Sequence, residues 1–538
     1  MLISRFVYSA LAAALIALAL VVPGVNAHRT PGSPTAFTAA FQSDFPTLDP
    51  AIGYDADSWI GEHAIFDSLL GYAHASGVAG TRLVPDLAAA MPKISFHGRW
   101  YTFHMRHDVH FSPPVNRLVT ASDVKYSIER ALAKGTQGPM YQSSFFSPLS
   151  GSSAFWNGKA RHIRGIHVLN RFTIQFRLDS PDLAFENVIA LPFTSAVPRE
   201  RVRALGKRWV DHVTGTGPYM LQSWRHGRQM VLVRNPRYFV RGVPHVPKVV
   251  ISFGVDPHLQ ILRAERGQLD LPGDLVTGTD YLALRTGSYR HQLWATRDVG
   301  VWYLSMNMKM APFKGNLQLR RAFNMAIDKT HLVRLLNGRA LPMNGILPPT
   351  MPGANKHFHM YAYNPNAARA ALRRAGYKSG ALHLNMLYIQ NPDSDRVADA
   401  IQADLRTIGV SVTLKPVSAN TAYNVIYTPG KVNFAMFHWG QDYPDPSDFF
   451  DPILTCPASN NAAFYCNRNV DRLAARARAD TNTRTRFAIY RHMERIVMSA
   501  APWVPLYDDI FYDFRGARVK GFYVPPVWPF EYAQYRLR

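Results

Sequence analysis

Cys456 and Cys466 are the only cysteines, and nine residues lie between them. The segment Pro457-Ala458-Ser459-Asn460-Asn461 between them is rich in turn formers. In an oxidising compartment the pair closes a disulfide, worth about 2–3 kcal/mol on the loop-entropy argument. A metal or catalytic use is the poorer reading, because no Cys or His ligand stands at a zinc-like spacing from them. His104, His107 and His110 recur every three residues. On a strand His104 and His110 share one face and His107 takes the other, so the three do not converge on a metal. His438 stands beside Trp439, and one imidazole alone does not make a metal site. Gly215-Thr216-Gly217 could let backbone amides approach a ligand; the alternative is a turn entering a strand, since no Gly-Lys-Ser/Thr follows as a phosphate loop requires. No Gly-x-Ser-x-Gly, no His-Glu-x-x-His and no closely spaced acid pair in a recognisable context is present. The expectation is therefore no metal, no cofactor and no catalytic residue.

The chain that must position these residues has 538 residues, enough for roughly three domains at about 100–200 residues each. Hydrophobic residues make up 47% and charged residues 18%, which excludes wholesale disorder. Sixty Lys and Arg against 37 Asp and Glu leave a formal charge of +23. The basic residues are scattered and no basic run alternates with aromatics, so a nucleic-acid partner is not expected. The first 27 residues read as an export signal. Arg5 is the positive start, Phe6 to Val22 is apolar but for Ser9, and Val25-Asn26-Ala27 ends in a small residue suited to cleavage. An uncleaved anchor is the alternative, because the apolar run is near the lower spanning length. No cysteine near the cleavage site could carry a lipid.

Local punctuation places several elements. Thr120 and Asp123 form a capping box, and Val124, Ile128 and Leu132 then make one buried stripe. Asn364-Pro365 opens another helix, which Gly376 stops. A third helix is predicted over about 395–407, with Val397, Ile401 and Leu405 on one face and Gly409 as its terminator. Strand patterns over 382–388 and 410–414 flank it, a strand–helix–strand unit that implies an α/β layer. The alternation from Arg99 to Phe111 predicts a β-hairpin or sheet edge, ended by Pro113-Pro114.

A collinear series of short motifs runs through the whole chain. It begins with Thr47-Leu48-Asp49-Pro50, Phe66-Asp67-Ser68-Leu69-Leu70 and Leu83-Val84-Pro85-Asp86-Leu87-Ala88. Tyr101-Thr102-Phe103-His104-Met105-Arg106, Thr120-Ala121-Ser122-Asp123-Val124 and Thr214-Gly215-Thr216-Gly217-Pro218-Tyr219 follow. Then come Trp224, Arg234-Asn235-Pro236-Arg237-Tyr238, Gly267-Gln268-Leu269-Asp270, Pro312-Phe313, Arg320-Arg321-Ala322 and Ala326-Ile327-Asp328. Trp439-Gly440-Gln441-Asp442-Tyr443-Pro444-Asp445-Pro446 completes it. In this order the series resembles the solute-binding proteins of bacterial ABC importers, the oligopeptide/dipeptide-binding family 5.

The resemblance implies an α/β fold of the periplasmic-binding-protein type II class, with two hinged lobes and an extra inserted domain. On that map residues 1–27 are the signal peptide. Lobe I takes 28–75, 205–300 and 505–538, the inserted domain takes 76–204, and lobe II takes 301–504. The resemblance also implies a periplasmic, monomeric receptor rather than an enzyme. It would capture a peptide between the lobes and deliver it to an ABC transporter permease in the cytoplasmic membrane. The same scaffold carrying a glycoside, opine, nickel chelate or haem is the alternative, and a secreted hydrolase the remote one.

Peptide-binding members place a carboxylate for the ligand ammonium where Asp442 stands; a loop Asp in an Asp-Tyr-Pro turn is the other reading. A charge-assisted bond in a water-poor cleft is short and strong. Trp439 and Tyr443 flank Asp442 and would line the cleft, or else pack in a core. Gly217 is carried as a possible ligand contact. Dipeptide-type members place an Arg in the loop after the strand near Tyr388. Here Ile389 to Asp395 hold none, so Arg396 is the candidate for the ligand carboxylate, or else a surface residue. The Cys456–Cys466 loop followed by Asn467 looks like the dipeptide branch.

Overall fold

A computed structural model describes residues 36–538 apart from 137, 141–143, 457 and 528–529, and apart from the side chains of Ser144 and Asn420. The expected signal peptide lies outside the described residues. No helix among the described residues is long and apolar enough to cross a membrane.

The first lobe is built on a five-stranded sheet in the order Leu271–Pro272, Phe37–Ala40, Lys248–Ser252, Gln229–Arg234, Tyr219–Arg225. Phe37–Ala40 is parallel to both its neighbours, whereas Gln229–Arg234 is antiparallel to both of its own. Alternating residues Val249 and Ile251, and Met230 and Leu232, turn inward and are fully buried. The chain's end seals what its beginning opens: the Phe37 ring lies 5.8 Å from both Tyr532 and Tyr535.

A four-stranded antiparallel sheet, in the order Lys93–Ser95, Trp100–His104, Thr173–Arg177, Ile166–Asn170, forms a separate layer. The alternation expected over 99–111 is strand only at Trp100–His104. That strand is interior rather than an edge, because Thr173–Arg177 covers its second side. Local pattern cannot reveal a partner some seventy residues away. The helix Ala121–Leu132 closes the layer, with the capping box of Thr120 and Asp123 at its start and Val124, Ile128 and Leu132 buried. His107 stacks on Phe172 at 4.4 Å while His104 contacts Thr173 Oγ1, so these imidazoles serve packing.

The second lobe holds a seven-stranded sheet. Leu382–Ile389, the helix Pro392–Thr407 and Val410–Val417 form the strand–helix–strand unit, and its strands pair parallel with Leu382 opposite Val410. The helix begins three residues before its predicted start, because Asn391 caps it and Pro392 occupies the first turn. Asn364 and Pro365 open the helix Pro365–Arg374 by the same device.

Two antiparallel strands, Leu293–Arg297 and Trp503–Phe514, pass between the lobes. At one end Val504 and Leu506 pack in the second lobe's core. At the other, Phe514 packs with Val255, Ile261 and Leu284 of the first. A pair of strands shared by two cores is the form a hinge takes.

Candidate functional site

The strand Phe434–Gly440 runs to the gap between the lobes and ends in the loop that carries Asp442. It pairs along its whole length with Gly300–Met306. On its other side, among the described residues, pairing with Leu382–Ile389 stops at Met436. The backbone from Phe437 to Gly440 therefore presents an edge on the side away from Gly300–Met306.

The loop after this strand is tied down by its own carboxylates. Asp445 accepts from the backbone N–H and the hydroxyl of Ser447 at 2.9 and 2.7 Å, starting the short helix Pro446–Phe449. Arg486 donates two bonds of 2.6 Å to Asp445. The Asp442 N–H donates to Asp448 Oδ2 at 2.9 Å. This bracing aims the Asp442 side chain at the other lobe, where the Tyr54 hydroxyl donates to its Oδ2 at 2.8 Å.

Asp442 is buried, and burial pushes its carboxyl up to about 7, against the opposing pull of its Tyr54 hydrogen bond. Asp448 is fully buried and is also raised, by burial first and by the Asp442 charge second. Two carboxylates this close in a low-dielectric setting resist ionising together. Neither forms an ion pair with a basic side chain among the described residues. An incoming cation would offset this mutual repulsion and draw the pair toward ionisation.

A cavity of about 490 Å³ opens over Asp442, within the about 300–1,000 Å³ usual for small-molecule sites. Tyr54 and Trp59 line it from the first lobe, and Tyr427, His438 and Trp439 from the second. Trp439 is both wall and core: it lines the cavity yet is 8% exposed within the cluster around Phe449 and Tyr490. A second interlobe cavity of about 340 Å³ is lined by Thr277 and Gly278 on one side and by Arg339, Asp393 and Arg396 on the other. Arg339 grips Asp393 through two bonds of 2.7 and 2.8 Å, and Arg396 also bonds Asp393. The Trp302 and His438 rings, with centroids 5.1 Å apart, each line one of the two compartments.

The structure therefore brings Asp442, Trp439 and Arg396 to the interlobe gap and leaves two expected residues elsewhere. Tyr443 is 3% exposed, packs edge-on against Phe145 at 5.8 Å, and belongs to the core of the four-stranded layer. The reading of Tyr443 as a cleft wall is corrected, because the inserted layer's core stands directly behind it. Gly217 is corrected as well. Its N–H donates to Ile65 O at 2.8 Å, and a Cβ there would lie 2.5 Å from the Ile65 carbonyl carbon. The close approach that this glycine permits is to the chain's own backbone. Gly217→Ala is expected to destabilise the fold by about 1–3 kcal/mol, the usual range for overpacking. Ligand affinity per folded molecule should stay unchanged; urea unfolding and calorimetry on the same sample check both. Cys456 and Cys466 form the expected disulfide, and Asn467 caps the helix Arg468–Ala479 that follows.

Sequence reading missed Tyr54, Arg339 and Tyr427. No signal short of the fold could have found Tyr54, whose partner is 388 residues away.

The family model for bacterial extracellular solute-binding proteins, family 5 Middle, matches residues 82–461. Di/tripeptide-binding protein 2 of Pseudomonas aeruginosa is 26% identical over 517 residues, covering 91% of this chain and 92% of that protein. Heme-binding protein A of Haemophilus influenzae is 27% identical over 474 residues, covering 83% and 82%. The solved structure of clavulanic acid biosynthesis oligopeptide binding protein 2 aligns with a TM-score of 0.83 at 24% identity, over 94% of this chain and 96% of that one. Two α/β lobes, a two-strand connection and an interlobe gap are what a capture protein requires. The chain belongs to the family 5 bacterial extracellular solute-binding proteins, non-catalytic receptors of the type II periplasmic-binding fold.

Proposed function

We propose that this protein is a periplasmic receptor that captures short peptides in its interlobe gap and delivers them unaltered to an ABC transporter permease. The observation that carries the reading is Asp442, a buried carboxylate that has no basic partner among the described residues and opens onto a cavity large enough for a small ligand. A peptide's ammonium supplies the missing charge. The backbone edge at Phe437–Gly440 suits an extended ligand, since main-chain bonds give affinity without side-chain selection. Arg396 and Arg339 share the one carboxylate of Asp393, so the trio leaves a net positive charge at the other compartment for the ligand's carboxylate end. Export by a signal peptide over 1–27 belongs to the same reading, as does the division into lobe I, inserted domain and lobe II.

Each lobe supplies part of the contacts, so only the closed arrangement collects them all. The ligand shifts the open–closed balance by its differential affinity. Moving it from 1:99 to 99:1 takes about 5.5 kcal/mol.

The test starts with mass spectrometry of ligand released by denaturation from freshly purified protein. A thermal-shift panel follows, containing di- and tripeptides, their N-acetyl forms, a nickel chelate, haem, an opine and a glycoside. Peptides should co-purify and raise Tm, and N-acetylation should weaken calorimetric affinity at least about tenfold, as loss of a charge-assisted bond requires. Equal affinity for the acetylated peptide overturns the role of Asp442. Response to a non-peptide member of the panel alone overturns the peptide reading.

A further inference from the structure

Asp298, His438 and Asp509 come from three distant parts of the chain and meet in one place. Asp298 lies in the turn between the strands Leu293–Arg297 and Gly300–Met306. His438 lies on Phe434–Gly440, and Asp509 on the long connecting strand Trp503–Phe514. One ligand-capable atom from each lies within 4.8 Å of the others. His438 Nε2 is 3.0 Å from Asp298 Oδ2.

The surroundings hold these groups in place. The Asp298 N–H donates to the Asp509 carbonyl at 3.0 Å, which clamps the turn to the connecting strand. The Val299 N–H orients Asp298 through Oδ1 at 2.8 Å, and the Trp302 indole N–H orients Asp509 through Oδ2 at 2.6 Å. Such supporting bonds are what fix metal ligands in their working rotamers.

A second observation comes from Gly300. A Cβ there would lie 2.1 Å from Asp298 Oδ2 and 2.5 Å from His438 Nε2. Any other residue at 300 would fill the space in which the two ligand atoms meet. Of the nearby arginines, Arg297 pairs with Asp508 at 3.0 Å, and Arg339 is held by Asp393 while its charge still reaches Asp509. Among the described residues, Asp298 and Asp509 face the one imidazole of His438, and the charge of Asp508 also reaches it.

We propose that Asp298, His438 and Asp509 bind one first-row divalent transition-metal ion in the wall of the interlobe gap. An imidazole with two carboxylates suits zinc, cobalt or nickel better than calcium or magnesium, which take oxygen ligands throughout. Three protein ligands leave coordination positions open, and the site lies between the two compartments, with His438 lining the cavity over Asp442 and Asp509 lining the other. Because two of the ligands sit on segments that connect the lobes, occupancy ties the hinge to the gap's wall. This site is independent of the peptide reading, and its test uses no peptide.

The experiment is titration of the chelator-stripped, full-length mature protein with Zn²⁺ by calorimetry and with Co²⁺ by visible absorption. One ion per chain is expected. His438→Ala, Asp298→Asn and Gly300→Ala should each weaken binding by about tenfold or more, the scale of losses around a metal centre. His162→Ala, at an exposed ring beside Glu129, should bind as the parent does. X-ray absorption at the zinc edge of the unmutated protein provides a measurement that needs no variant to fold. It should report one imidazole with oxygen ligands. No stoichiometric binding, a spectrum with several imidazoles or with sulfur, or folded variants that bind like the parent would each overturn the site.

Discussion

Asp442→Asn should abolish most peptide binding while leaving the protein folded. Asparagine keeps the shape of the side chain and can still accept from the Tyr54 hydroxyl, but it cannot balance an ammonium. Removing one partner of a buried, hydrogen-bonded charge pair costs about 2–5 kcal/mol, so Kd should rise roughly 30-fold or more. Calorimetry with a free-amine dipeptide reads this directly, and a loss under threefold would end the assignment. The same carboxylate sets a pH signature. Its folded value of about 7 lies above the ordinary 3.8. Binding needs the ionised form, so affinity of the parent should fall as pH drops below about 7, by about tenfold per unit while this group alone titrates. The variant should lack that fall. The stability of the ligand-free protein runs the other way. A raised folded value means that the native state holds a proton the unfolded chain has released between about pH 4 and 7. Stability from this group is therefore full below about 4 and is lost as pH rises through about 7. Asp442→Asn should flatten that decline, with Tm at pH 8 equal to or above the parent's.

The parts of this molecule that read correctly from sequence are those whose causes are local. The capping box at Thr120 and Asp123, the Asn-Pro start at 364–365 and the strand–helix–strand unit over 382–417 depend on residues close in sequence. The apolar pattern alone starts the helix at 392–407 too late, because its stripe begins at Val397 whereas its cap, Asn391, sits before the stripe. The interior position of Trp100–His104 depends on Thr173–Arg177, which no window around residue 100 contains. The site divides in the same way. Asp442 is legible through the motif that surrounds it, which the family resemblance singles out. Tyr54 and Arg339, and the meeting of Asp298 with His438 and Asp509, exist only once the connecting strands bring the lobes together. Tyr443 and Trp439 flank the same carboxylate and have the same chemistry. Which of them faces the gap is decided by Phe145, a residue nearly three hundred positions earlier that claims Tyr443 for another core.

Arg486→Met is the substitution expected to cost the most stability. The guanidinium is 7% exposed and makes two 2.6 Å bonds to Asp445, itself 12% exposed at the side chain. Burial alone would raise the Asp445 carboxyl; Arg486, with help from Ser447, outweighs it and holds the group below its usual range. Methionine matches much of the volume and leaves Asp445 with only the Ser447 bonds. Breaking one side of a buried pair costs about 3–5 kcal/mol, because the remaining charge has no compensation. The pH dependence should change sign. In the parent, a depressed Asp445 contributes stability that is present above about pH 4 and lost as pH falls through its still lower folded value. In the variant the unpaired carboxyl is raised, so the deficit should be small near pH 4 and grow toward pH 7. Asp445→Asn in the same chain should recover part of the loss, since it removes the stranded charge. Thermal unfolding of the parent, the single variant and the double variant at pH 4.5 and 7.5 separates these outcomes. Because Asp445 starts the short helix that carries Asp448, and Asp448 holds the Asp442 N–H, a weakened Asp445 should also blunt peptide binding at pH 7.5. A single variant as stable as the parent at pH 7.5 would mean that the loop is braced by Asp448 and its apolar neighbours alone, and that the ion pair does not govern how Asp442 is presented.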